Sequence, residues 1–290
     1  MADAPRTEGE RWAHDELARL LAARFAPAAT GRFLMASFRR ADQRRRARLE
    51  VARRAWTWTA VGTGAWAALA VAGVQPFRRG WRHGMAWCAA CGWMLDWHVG
   101  MVETEDGHPR QLGPADAVTL GRAWLVPVAL HSPTPAVCAA AAVSDVVDGM
   151  LARRAEPTRL GRDLEGLVDA AFAAAALRGA LREGLIGRAA VACELARLGA
   201  GLGYALYEYF GRAERPDPGF IRAARGTTVV RAGGLVAAGA GRRRLADALV
   251  GGGSLASIAI TVRAVLPPTA ARTSLPPAAR GRPRGCGRRP

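Results

Sequence analysis

Apolar and polar positions along this chain fall into separate blocks. The first 54 residues are charged and hold no apolar core of the kind a secretory signal needs. Within them, residues 10–25 have helical spacing, with Trp12, Leu17, Leu20, Leu21 and Phe25 near one face. Eight arginines in sixteen residues follow at 39–54, predicting a basic juxtamembrane helix in contact with anionic headgroups. Residues 56–77 open on Trp56 and Trp58 and predict a first membrane span. Residues 81–101, in which four tryptophans accompany His83, Asp96 and His98, predict a second, more polar segment that either spans or lies in the interface. After a polar linker, six more apolar segments run at 117–131, 135–151, 164–181, 188–208, 227–241 and 245–265. Several are rich in Gly and Ala, which suits close helix packing; Gly199, Gly201 and Gly203 mark one such face and Gly251 to Gly253 another. The expected organisation is a basic cytosolic region (1–54), apolar helices (55–101), a core (112–266) and a Pro- and Arg-rich disordered tail (267–290).

Composition sharpens this picture. The chain has 290 residues, room for about six to eight spans of ~20 residues. It is 50% hydrophobic and only 22% charged, which excludes a largely disordered protein. The net charge of +17 comes from 41 basic residues against 24 acidic ones, and there is no lysine. The basic ends lack the interleaved aromatics of a single-strand-binding surface, so membrane lipid rather than nucleic acid is the expected partner. If residue 117 starts on the cytoplasmic side, the chain returns there near 152–163, 209–226 and 266–290. All three stretches are arginine-rich, as the positive-inside rule requires. The expected protein is therefore an all-α integral membrane bundle in the cell membrane, a six-helix core preceded by one or two extra apolar helices. Arg78, Arg79 and Arg82 fall on the wrong side for that rule if both preceding stretches span. Five cysteines, four of them in apolar segments, do not make a disulfide framework.

The stretch that carries chemistry runs from Asp145 to Asp169. Charge in or beside a membrane helix is costly and marks function by default. Asp145 and Asp148 are spaced i,i+3, and Glu165 and Asp169 i,i+4, so each pair shares a helix face. The short turn between the pairs lets a hairpin gather four carboxylates at one end of the bundle. Alone they would repel each other. A divalent cation resolves the conflict, and an all-oxygen donor set suits Mg²⁺ or Mn²⁺ rather than Zn²⁺. Carboxylate-held Mg²⁺ commonly serves phosphate chemistry. Gly149 and Gly161 leave room for a ligand to approach the backbone, and Arg153 can grip a phosphate. Cys88 and Cys91, with His83 and His98 nearby, sit in a Trp- and Ala-rich context that reads as an apolar helix, not a closed zinc site.

The pattern Asp145-x-x-Asp148-Gly149-x-x-Ala152-Arg153, followed by Gly161, Glu165 and Asp169 at four-residue intervals, resembles the signature of the CDP-alcohol phosphatidyltransferases. Residues 114–122 are similar to the segment that opens the first helix in that family. The resemblance covers 112–266, matches seven positions and departs at one, where the family has Asp and this chain has Glu165. It implies six helices and a site facing the cytoplasm. It also implies a reaction in phospholipid biosynthesis: a CDP-linked lipid, usually CDP-diacylglycerol, gives its phosphatidyl group to a small alcohol and CMP leaves. Carried over, Asp145, Asp148, Glu165 and Asp169 would hold the metal, and Asp169 would also serve as general base. Gly149, Ala152, Arg153 and Gly161 would shape the nucleotide pocket, and a homodimer is expected. Arg122, Arg197, Arg225 and Arg231 are expected near the acceptor, where a phosphorylated alcohol would need them. The other role open to them is to neutralise Glu194 and Glu208 or to reach for headgroups. The rival function is a non-catalytic membrane relative that binds lipid or a partner through a diverged metal site. A transporter is a third reading that clustered carboxylates permit.

Overall fold

The computed structural model describes residues 7–104, 106–154, 158–208 and 218–265, without the side chains of Arg153, Pro218, Ile221, Arg222 and Arg225. The tail expected to be disordered lies outside the described residues. Among these residues ten α-helices follow one another: α1 (Glu8–Ala22), α2 (Pro27–Ala47), α3 (Leu49–Val71), α4 (Trp81–Trp97), α5 (Pro114–His131), α6 (Pro135–Arg154), α7 (Arg159–Arg182), α8 (Arg188–Tyr207), α9 (Pro218–Gly239) and α10 (Arg243–Val265). No strand occurs among the described residues.

The six expected core segments are α5 to α10, and several begin a turn or more before the apolar run does. Their polar first turns are helical because they are capped. α5 has Pro114 at its start, and Asp116 accepts the Gly113 N–H at 2.8 Å. α7 is capped by Thr158, whose hydroxyl oxygen accepts the Gly161 N–H at 2.9 Å.

The basic block at 39–54 is two helices, not one. The chain breaks at Arg48 (φ −136°, ψ 53°), between α2 and α3. The Arg48 guanidinium turns inward and donates to the carbonyls of Val102 (2.7 Å), Val99 (3.3 Å) and Arg110. Arg54 donates to the Leu112 carbonyl at 2.8 Å. These carbonyls belong to the connection between α4 and α5, where Val99 and Val102 also accept backbone N–H groups, from Val102 (3.3 Å) and Arg110 (2.9 Å). Part of the block therefore serves the fold rather than the headgroups.

The two N-terminal apolar stretches form an antiparallel hairpin. Trp56 donates to Asp96 at 3.1 Å, Thr59 lies at Gly92, and Trp66 lies at Gly84, so residue numbers rise on α3 as they fall on α4. The hairpin docks on α5 through two indoles: Trp124 donates to the Gly62 carbonyl (3.0 Å) and Trp87 to the Ala123 carbonyl (2.8 Å). Gly80 packs against His131, at the C-terminal end of α5. The connection carrying Arg78 and Arg79 thus lies at the end of the bundle opposite the N-terminus of α5. Arg182, Arg188 and Arg243, at the ends of α7, α8 and α10, share that end, so both ends of the bundle are basic.

Among the described residues, three helices are long and apolar enough to cross a membrane: α6, α8 and α10. They alternate along the chain with α5, α7 and α9. Val143, Val146, Leu195 and Leu202 of α6 and α8 are exposed, an apolar outer face of the kind lipid covers. The molecule is an all-α membrane bundle whose outer helices are apolar and whose inner faces are polar. Small residues set the closest approaches. A Cβ at Gly179 of α7 would lie 2.5 Å from the Ala129 carbonyl oxygen of α5, and one at Gly253 of α10 would lie 2.7 Å from the Arg231 side chain of α9. Gly199, Gly201 and Gly203 differ from expectation: each has open space where a Cβ would stand, so they mark no packed face.

Trp66 is fully buried, and a Cβ at Gly84 would lie 1.9 Å from its ring. Gly84→Val is expected to destabilise the α3–α4 hairpin by about 1–3 kcal/mol or more, read as a lowered melting temperature in detergent. Gly64→Ala, on α3 where nothing lies within 4 Å, should leave it unchanged or slightly raised.

Candidate active site

The site is organised by one face of α5. Asp116, Thr119 and Arg122 follow at i, i+3 and i+6, and all three are buried. Asp116 caps its own helix through Oδ2, while Oδ1 accepts the Thr158 hydroxyl at 3.4 Å. Thr119 donates to Asp148 Oδ2 at 3.0 Å. The Arg122 guanidinium, 2% exposed, faces three carboxylates: Asp169 Oδ1 at 2.9 Å from Nε, Asp148 Oδ2 at 3.0 Å from Nη2, and Asp145 Oδ1 at 3.4 Å from Nη1. Thus α5 pins the C-terminal part of α6 and the N-terminal half of α7 with three consecutive polar contacts.

One oxygen from each of Asp145, Asp148 and Glu165 lies within 4.8 Å of the others. Asp169 stands outside that set, held on the Nε side of Arg122. The three donors fit a hard divalent cation. Oxygens facing each other across Mg²⁺ or Ca²⁺ are about 4–5 Å apart, which this cluster nearly meets without a cation. Moreover, Asp148 Oδ1 is buried and has no hydrogen-bond partner among the described residues. A carboxylate oxygen left so would be costly unless an ion engages it. Asp145 and Asp169, at 40% and 41% exposed, remain open to an incoming ligand.

Of the residues expected to shape a nucleotide pocket, Gly149 and Ala152 are half-buried on α6 beside Asp148. Gly161 makes room for protein: a Cβ there would lie 2.7 Å from Asp116 Oδ1 and 3.0 Å from Thr158 Oγ1. The Arg153 side chain lies outside the described residues, as does that of Arg225.

A cavity of about 300 Å³ opens beside the acids. Arg122, Asp145 and Asp169 line it from α5 to α7, and Glu194, Arg197 and Arg231 from α8 and α9, with Ala141, Phe172 and Leu235 among its apolar walls. Glu194 is nearly fully buried and joins three helices. It accepts from Arg197 Nε (2.8 Å), Arg231 Nη1 (2.7 Å) and the Ser254 hydroxyl (2.7 Å). Two guanidiniums sharing one carboxylate leave this wall cationic. Arg197 and Arg231 therefore both neutralise Glu194 and face the cavity. Arg122, expected beside the acceptor, lines the cavity and pairs with the acids on its wall. Asp116 and Thr158 were not singled out from sequence, although the three-residue spacing of Asp116, Thr119 and Arg122 carried the signal.

Removing a buried partner strands the charges around it. Arg122→Leu is expected to cost about 3–5 kcal/mol of stability. Adding Asp148→Asn should recover part of that loss, read as non-additive shifts in melting temperature.

No match is found among curated proteins or among solved structures. The family model described as CDP-alcohol phosphatidyltransferase matches residues 114–261. That span opens on the first residue of α5 and closes within α10, so it takes in the six helices around the cavity and every acid of the cluster. Because the match covers just over half of the chain, the protein belongs to the CDP-alcohol phosphatidyltransferases, membrane enzymes that transfer the substituted phosphate group of a CDP-alcohol.

Proposed function

We propose that this protein transfers the phosphatidyl group of CDP-diacylglycerol to the hydroxyl of a small, phosphate-bearing alcohol, with Mg²⁺ or Mn²⁺ at Asp145, Asp148, Glu165 and Asp169. The observation that carries this reading is a cavity bounded by Asp145 and Asp169, at the edge of the carboxylate cluster, on one side and by Arg197 and Arg231 on the other. The site is read as facing the cytoplasm from the cell membrane, the orientation that the family resemblance implies.

When bound, the cation would neutralise diphosphate oxygens and ease the departure of CMP. The chain's own residues do the rest. Arg197 and Arg231 present cationic nitrogens to an acceptor phosphate and so orient its hydroxyl toward the acids. Asp169, fixed through Oδ1 by Arg122, takes the hydroxyl proton on Oδ2. The acceptor oxygen then bonds to the lipid-bearing phosphorus as the bond from that phosphorus to the CMP oxygen breaks. Gly149, Ala152 and Arg153 are assigned to the nucleotide. Gly161 acts on it indirectly, by letting α7 start close to Asp116.

Purified protein given CDP-diacylglycerol and a panel of neutral and phosphorylated alcohols should release CMP with divalent metal and stop on chelation. Asp169→Asn should abolish release and Glu165→Asp should retain it. Full turnover by Asp169→Asn would remove the base assignment. No release with any acceptor would favour the non-catalytic relative.

Arg197→Gln and Arg231→Gln should raise KM for a phosphorylated acceptor by about tenfold or more each, with KM for the CDP-lipid nearly unchanged. Equal effects on both substrates would make the two arginines structural supports of Glu194 only.

A further inference from the structure

We infer that the N-terminal helix α1 is coupled to the metal site through Arg159, a positioning residue for Glu165 and Asp169; the inference rests on the metal reading above. Arg159 is the first residue of α7. Its neighbour Thr158 ties that helix to Asp116 of α5, and Arg159 ties it to the N-terminal part of the chain. The Arg159 backbone N–H donates to the Glu103 carbonyl at 2.9 Å. Its Nη1 donates to Glu103 Oε1 and to the Thr7 hydroxyl oxygen, both at 2.7 Å, and its Nη2 lies 3.4 Å from Glu10 Oε1. The side chain is only 7% exposed. Two of these partners are the residues that start α1: the Thr7 backbone N–H donates to Glu10 Oε2 at 3.0 Å, and the Glu10 N–H to Thr7 Oγ1 at 3.3 Å. The capping box that begins α1 is thus also the seat of a buried guanidinium from α7.

Thr7, Glu10 and Glu103 all precede the 114–261 span that matches the family, so this clasp is an addition by the rest of the chain. A helix transmits displacement of its first turn along its length. Glu165 lies about 9 Å and Asp169 about 15 Å along the axis from Arg159. Cation ligation demands oxygens placed to a fraction of an ångström, so α7 must start in one place. Coupling of this kind is reciprocal: if docking of α1 favours metal binding, metal binding favours docking of α1 by the same factor.

The test uses the full chain in detergent, with hydrogen exchange of Glu8–Ala22 measured with and without Mn²⁺ and Mn²⁺ affinity read by electron paramagnetic resonance. In the wild type, Mn²⁺ should slow exchange of α1 by about fivefold or more. Glu103→Gln should weaken Mn²⁺ binding by a similar factor, make α1 exchange indifferent to Mn²⁺, and leave CMP release at saturating metal close to wild type. Thr7→Ala, a milder change, should act in the same direction. A wild type that binds Mn²⁺ and releases CMP while α1 exchange stays unchanged overturns the coupling alone. So does a Glu103→Gln protein with wild-type Mn²⁺ affinity. A wild type that binds no Mn²⁺ overturns both the metal reading and the coupling.

Discussion

The buried guanidinium of Arg122 is the constraint on which the bundle's geometry depends. It meets carboxylates from two helices within 3.4 Å and is almost sealed from solvent. A buried ion pair of this kind gains little net stability over apolar packing, because desolvation offsets most of the attraction. What it contributes is specificity. α6 and α7 can slide or rotate against α5 only by stranding a charge in a medium that cannot hydrate it. The contacts at Asp116 and Thr119 repeat the constraint one and two turns earlier, so α5 acts as a template against which the acid hairpin is registered.

The bilayer explains where the remaining charges go. A spanning chain must satisfy its backbone within helices and turn its charges toward one another. α6, α8 and α10 give lipid an apolar exterior, while polar residues from all six helices α5 to α10 meet inside. Glu194 makes a second ionic node, where Arg197, Arg231 and Ser254 converge from α8, α9 and α10. One node joins α5, α6 and α7; the other joins α8, α9 and α10. The cavity lies where the two nodes face each other, acids on one wall and paired guanidiniums on the other. That polarity suits a reaction whose one substrate needs its diphosphate charge neutralised by metal and whose other carries charge of its own.

The helices and the acid pairs were legible because both rest on short-range periodicity. Apolar runs define spans, and spacings of three and four place Asp145 with Asp148 and Glu165 with Asp169 on shared faces. Helix starts were less legible, since Asp116 and Thr158 extend α5 and α7 into polar sequence by capping. The charge of Arg122 was visible in the sequence, and its three carboxylate partners were not. The inward turn of Arg48 and the clasp on Arg159 were beyond reach: Thr7 and Arg159 are 152 residues apart, and no local pattern announces that contact. The glycines at 199, 201 and 203 misled for the opposite reason. Their spacing is local and regular, but no helix lies against that face.

Glu165 is the one departure from the family pattern at the acids, and the geometry bears on what it does. Its carboxylate reaches the same 4.8 Å cluster as Asp145 and Asp148 despite the extra methylene. The three carboxylates are not equally constrained. Asp148 is held by Thr119 and Arg122 and can hardly move. Glu165 is half-buried and has one more rotatable bond, so it can close on an ion that the fixed oxygen has already located. Fixing that longer side chain costs entropy, at most about 2 kcal/mol for a fully ordered Glu. A penalty of that size weakens metal affinity without abolishing the site.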